Sequence, residues 1–108
     1  MSEYRIGIPS EIPAGRAVFV VRNTGRIDHQ LNVIPLPENF PRTFEEHFRS
    51  GTTIGVAPLV NLPADSPNAV QSFALDLPSG RYGFLCFVVD ADGIDHAHKG
   101  MSAIITVR

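Results

Sequence analysis

Apolar and polar residues alternate with a period of two along most of this chain, in short runs bounded by proline and glycine, and such runs predict strands. Tyr4–Ile8 predicts a first short strand, ended by Pro9. Glu11-Ile12-Pro13-Ala14-Gly15 reads as a turn. Ala17–Arg22 is apolar on both faces, Val18 and Val20 against Ala17, Phe19 and Val21, which predicts a strand buried on two sides. After the turn-forming Asn23-Thr24-Gly25-Arg26, the run His29–Ile34 puts His29, Leu31 and Val33 on one face and Gln30 and Asn32 on the other. Ala69–Leu77 alternates in the same way, and Pro78-Ser79-Gly80 turns the chain into Arg81–Val89. That run places Tyr82, Phe84, Cys86 and Val88 together, and Ile104, Ile105 and Val107 belong to a last strand.

Residues 35–68 break the alternation with Pro35, Pro37, Pro41, Pro58, Pro63 and Pro67. One helix fits there. Thr43-Phe44-Glu45-Glu46 is a capping box, and Phe44, His47 and Phe48 follow at helical spacing, one turn after Phe40. His47 on this amphipathic helix reads as structural or solvated. Residues 54–66 carry no periodicity and predict no element. About seven strands with short turns and one helical insertion predict an all-β sandwich in a single domain, residues 1–108. An immunoglobulin domain is the disfavoured version of that sandwich, since one cysteine and no tryptophan cannot make its hallmark disulfide packed on a tryptophan.

Composition narrows the function classes. A net charge of −2 with no basic run offers no footprint for nucleic acid, and no apolar stretch has the length of a membrane span. The start Met1-Ser2-Glu3-Tyr4 has no signal-peptide character, so either the protein stays inside or the chain is a trimmed mature domain. A single cysteine allows no internal disulfide. No nucleophile–base arrangement, zinc-type cysteine pair or phosphate loop is present, and no enzyme activity is expected.

The chemistry gathers between Arg81 and Val107. Cys86, His96, His98 and Met101 lie there, with nine residues between Cys86 and His96 and four between His96 and Met101. A thiolate, an imidazole and a thioether on one strand–loop–strand unit are soft donors, and soft donors select copper. A blue-copper site takes two histidines, one cysteine and a weak axial methionine, and His29, on the core face of its strand, can supply the second imidazole. Asp90-Ala91-Asp92-Gly93-Ile94-Asp95 looks like the opening of a calcium loop, but its twelfth position is Met101 rather than glutamate. Asp92-Gly93 is read instead as a tight turn of a hairpin over residues 87–95.

With an Asn-x-Gly turn before His29, the strand Gly80-Arg81-Tyr82-Gly83-Phe84-Leu85-Cys86, and a histidine shortly before Gly100-Met101, the chain resembles the cupredoxins over nearly its whole length. The resemblance implies a Greek-key β-sandwich and a mononuclear copper site cycling between Cu(I) and Cu(II). Cys86, His29 and His96 would form the trigonal plane and Met101 would be axial. His96 would be the more exposed ligand and the point of electron entry and exit. His98, two positions on, is the competing ligand, and Gln30 stands where the family commonly has asparagine. By the same resemblance the protein is a monomer outside the cytoplasm, periplasmic or extracellular, carrying single electrons between redox partner proteins. The three aspartates would steer a basic partner. Two other readings stay open, copper delivery without electron transfer and a metal-free interaction module.

Overall fold

A computed structural model describes residues 1, 6–49, 59–62 and 66–108, with the backbone also placed at 50 and 63–65. The elements run β1 (Glu11–Ile12), β2 (Gly15–Arg22), β3 (His29–Leu36), α1 (Phe44–Ser50), β4 (Val60–Asp65), β5 (Val70–Leu77), β6 (Gly80–Leu85) and β7 (Ser102–Val107). Five strands form one sheet in the order β1-β7-β6-β3-β4, and β2 pairs with β5 in a second. The predicted sandwich is borne out. The core between the sheets contains Leu31, Val33, Leu77, Tyr82, Phe84, Ile105 and Val107, with Phe19 and Phe73 stacked at 5.1 Å from the facing sheet.

Four expectations need correction. The turn at 11–15 contains β1, which pairs in parallel with β7 before the chain crosses to the other sheet. β2 is not buried on two sides, because Val18 and Val20 are 68% and 67% exposed while Phe19 and Val21 face the core. A strand, β4, lies within the stretch 54–66 that predicted none. The strand carrying the cysteine leaves the ladder at Leu85, one residue before Cys86. The proposed first strand Tyr4–Ile8 lies partly outside the described residues, and residues 6–8 are not in a strand.

The helix covers the outer face of the larger sheet. Thr43 caps it, its hydroxyl accepting the Glu46 N–H at 3.1 Å, and Phe44 packs into a second buried cluster with Ile34, Leu85 and Ala97. The approach to the helix is pinned from β6, where the Arg81 guanidinium donates to the carbonyls of Glu38, Phe40 and Pro41. Phe44 comes this close because residue 83 is glycine. A Cβ there would overlap the Phe44 ring, with Cε2 at 2.9 Å, and press on Ile34 Cγ1 at 3.2 Å. Gly83→Ala is therefore expected to cost about 1–3 kcal/mol by forcing the helix off the sheet. Denaturant unfolding of the two proteins checks it, as a lower midpoint at unchanged slope.

Candidate metal centre

The donors lie at one end of the sandwich, each set by a different piece of backbone. His29 opens β3 directly after a loop organised by buried Asn23. The Asn23 side-chain amide donates to the Ile27 carbonyl at 2.9 Å and accepts the Gly25 N–H at 2.9 Å. Cys86, His96 and Met101 are stitched together through their main chains. The Cys86 N–H donates to Met101 at 3.1 Å, the Met101 N–H to His96 at 2.9 Å, and the His96 N–H to Val88 at 2.9 Å. Between them residues 87–95 fold back as the expected hairpin. Val89 lies opposite Asp95, and Gly93, at φ 81, makes the tight turn that disfavours residues with a Cβ.

These backbones bring three donor atoms to one point. His29 Nδ1 and His96 Nδ1 are 3.2 Å apart, and Cys86 Sγ is 3.5 Å from His96 Nδ1 and 4.0 Å from His29 Nδ1. A triangle with those sides has its corners about 2.1 Å from its centre, the length of a metal–imidazole bond and a little under the ~2.3 Å of a metal–thiolate bond. His29, Cys86, His96 and Met101 are all 0% exposed. Among the described residues this is the one group of three or more such side chains that converges in this way. At 3.2 Å the two Nδ1 atoms can share one proton as an N–H···N hydrogen bond, and a cation that takes both lone pairs can replace that proton. The residues fit a metal ion, and the softness of the set makes the site suitable for copper.

The sulfur sits in a mixed field. Burial pushes the Cys86 thiol up from its ordinary value, and the charges of Asp95 and Asp90 push the same way. The backbone N–H groups of Gln30, at 3.3 Å, and of Val88 oppose this by bonding to the sulfur. Burial wins, so without a metal the group is a thiol at neutral pH.

The structure separates the two competing histidines. His98 points away from the donors, with its side chain 51% exposed, its Nδ1 2.8 Å from Asp95 and its ring stacked on Phe48 at 4.0 Å. His47 is buried on α1 and stacks on Phe40 at 4.8 Å, apart from the cluster. His96 is in the cluster, but it is not the exposed residue the resemblance implied. Its Nε2 lies 2.7 Å from Asp90 Oδ1, and Asp90 Oδ2 lies 2.6 Å from Lys99 Nζ. Lys99 also reaches Asp92 at 2.7 Å, so its pKa is pushed up, by Asp90 first, and that of Asp92 is pulled down, chiefly by Lys99. The aspartates are thus spent on internal pairs, with Asp95 on His98, rather than presented as an open acidic surface. Sequence reasoning missed Asp90, Lys99 and the Gln30 amide as parts of the centre. Its one usable signal was the run of aspartates with a lysine inside the ligand loop.

Compared with protein-family models and with curated proteins, the sequence matches none. Among solved structures it is similar to dithionite-reduced auracyanin from Roseiflexus castenholzii, at TM-score 0.63 and 19% identity, over 99% of this chain and 90% of that one. It is also similar to a purple cupredoxin from Nitrosopumilus maritimus, at TM-score 0.53 and 16% identity, over 91% and 75%. Rusticyanin from Thiobacillus ferrooxidans matches at TM-score 0.54 and 19% identity, over 91% of this chain and 59% of that one. The fold is that of the cupredoxins.

Proposed function

We propose that this protein is a mononuclear blue-copper electron carrier, with His29 Nδ1, Cys86 Sγ and His96 Nδ1 in the trigonal plane and Met101 as the axial ligand. The observation that carries this is the triangle of buried donors at 3.2, 3.5 and 4.0 Å. Bound copper supplies reversible one-electron chemistry. The chain's part is to hold its donors still, so that little rearrangement accompanies the gain or loss of an electron. The shared backbone hydrogen bonds of Cys86, His96 and Met101 do this, and the N–H groups of Gln30 and Val88 stabilise charge on sulfur. With every donor supplied by the protein there is no position for a substrate, which favours a carrier over an enzyme. Copper delivery requires donors that a partner's thiols can reach, and full burial of all four argues against it. By likeness of fold we place the carrier, a monomer, in a periplasmic or extracellular setting, exchanging electrons with protein partners.

One equivalent of copper(II) is expected to give an intense blue to purple absorption band and a reversible voltammetric wave. A colourless protein with no wave would sink the reading. Copper uptake must also displace the thiol proton, which burial holds on. Apparent affinity is therefore expected to rise about tenfold per pH unit from pH 7 to 8.5, below the raised thiol pKa. Competition against a chromogenic chelator measures the slope, and a flat profile would show that no proton is displaced.

A further inference from the structure

The loop between Cys86 and His96 returns over the metal centre, and two carboxylates on it treat the two histidines oppositely. Asp95 bonds His98 at Nδ1, the atom of a histidine that the centre uses, and directs that ring outward onto Phe48. Asp90 bonds His96 at Nε2, the far side of the ring, and leaves Nδ1 turned toward Cys86 and His29. Asp90 is itself held in place. Its N–H donates to the Ile94 carbonyl at 3.1 Å, its carbonyl accepts the Gly93 N–H at 2.9 Å, and Lys99 grips its second carboxylate oxygen.

We propose that Asp90 is a positioning residue for His96. Its carboxylate accepts the Nε2–H hydrogen bond, which fixes the tautomer whose Nδ1 carries a lone pair aimed at the metal position. The inference rests on the copper reading for its purpose but not for its geometry. An imidazole free to hold its proton on either nitrogen would present a donor-ready Nδ1 only part of the time, and its ring could turn. A carboxylate on the far nitrogen removes both freedoms and makes the ring a stronger base. Lys99 holds the carboxylate and offsets part of its charge, so the pair act on the centre with opposite signs. Asp90 favours the more oxidised metal and Lys99 the more reduced one. A salt bridge that merely closed the loop would act on the potential through space but would leave the His96 tautomer unset.

The experiment begins with metal-free protein labelled with nitrogen-15 at histidine, where long-range proton–nitrogen couplings report the tautomer of each ring. His96 is expected to be a single Nε2–H species in the wild type and in Asp90→Asn, which keeps an acceptor oxygen, and a mixture in Asp90→Ala. On loading with copper, Asp90→Ala is expected to bind about 10–100-fold more weakly than the wild type. The reduction potential is expected to move up in Asp90→Asn and down in Lys99→Met. An Nδ1–H species in the wild type, an unchanged tautomer in Asp90→Ala, or potentials that shift the same way in Asp90→Asn and Lys99→Met would overturn the proposal. The tautomer is read without metal, so a protein that takes up no copper refutes the function and still tests Asp90. Should Asp90→Ala not fold, the metal-free tautomer in the wild type and Asp90→Asn still decides, because an Nδ1–H species or a mixture in either would overturn the proposal.

Discussion

Cys86→Ser is expected to abolish the visible band of the copper-loaded protein and to leave the fold standing. The band depends on charge moving from a thiolate to the metal, and a serine hydroxyl neither ionises at working pH nor offers a soft donor. The site around the sulfur would tolerate the change sterically. Oxygen is smaller than sulfur, and it can take over the hydrogen bond from the Gln30 N–H, which now reaches Sγ at 3.3 Å. What is lost on the folding side is a buried apolar-like atom exchanged for a hydroxyl with a partner, on the order of 1–2 kcal/mol. The Cys86 N–H bond to the Met101 carbonyl is main-chain and persists. Visible absorption and electron paramagnetic resonance of the copper form, together with thermal unfolding of the metal-free form, separate the two effects. Loss of the band with nearly unchanged unfolding is the result expected. A serine variant that kept the band would place the sulfur outside the centre and remove the basis of the functional reading.

Residues whose role depends on face and period were legible before the structure. Leu31 and Val33 join the core between the sheets while Ile34, on the other face of β3, packs with Phe44 of the helix, because in a strand position on the face follows from the count of residues, and buried His29 keeps the count of Leu31 and Val33. The Thr43 cap was legible because it is a local bargain between a hydroxyl and an amide three residues on. β4 was not, because Pro63 lies within it and the run Val60-Asn61-Leu62-Pro63-Ala64-Asp65 has no clean alternation. The structure shows why such a strand is tolerated, since β4 is the last strand of its sheet and a missing N–H there breaks no inner ladder. The exposure of Val18 and Val20 was illegible for another reason. Apolar residues on both faces of β2 look the same whether a second layer covers the outer face or not, and local sequence does not say how many layers there are. Burial of His96 belongs to the same class. It depends on Asp90 returning across a hairpin to meet it, a contact made by loop geometry rather than by period.

The choice between His96 and His98 is where spacing alone had least to say, and it yields the second large effect. Both precede Met101 at separations compatible with a ligand loop, and both have an aspartate partner. His96→Ala removes a corner of the donor triangle and one partner of the Asp90 carboxylate, which keeps Lys99. Copper affinity is expected to fall by more than the ~10–100-fold that follows loss of an outer partner, and the visible band to disappear or change character. His98→Ala removes a half-exposed ring from the face of Phe48, which is expected to lower stability by about 0.5–1.5 kcal/mol. Its band, affinity and potential are expected to match the wild type. Copper titration and thermal unfolding of both variants check the pair, and the two readouts should move in different proteins. If His98→Ala bleached the protein instead, the loop would have to rearrange on loading, breaking the Asp95 bond that now holds His98 outward. If both variants bleached, the centre would draw on both imidazoles, and the trigonal plane would have to be redrawn with His29 outside it. The distances favour neither outcome, because His96 Nδ1 is already within 3.5 Å of the sulfur while the Nδ1 of His98 is bonded to Asp95 at 2.8 Å.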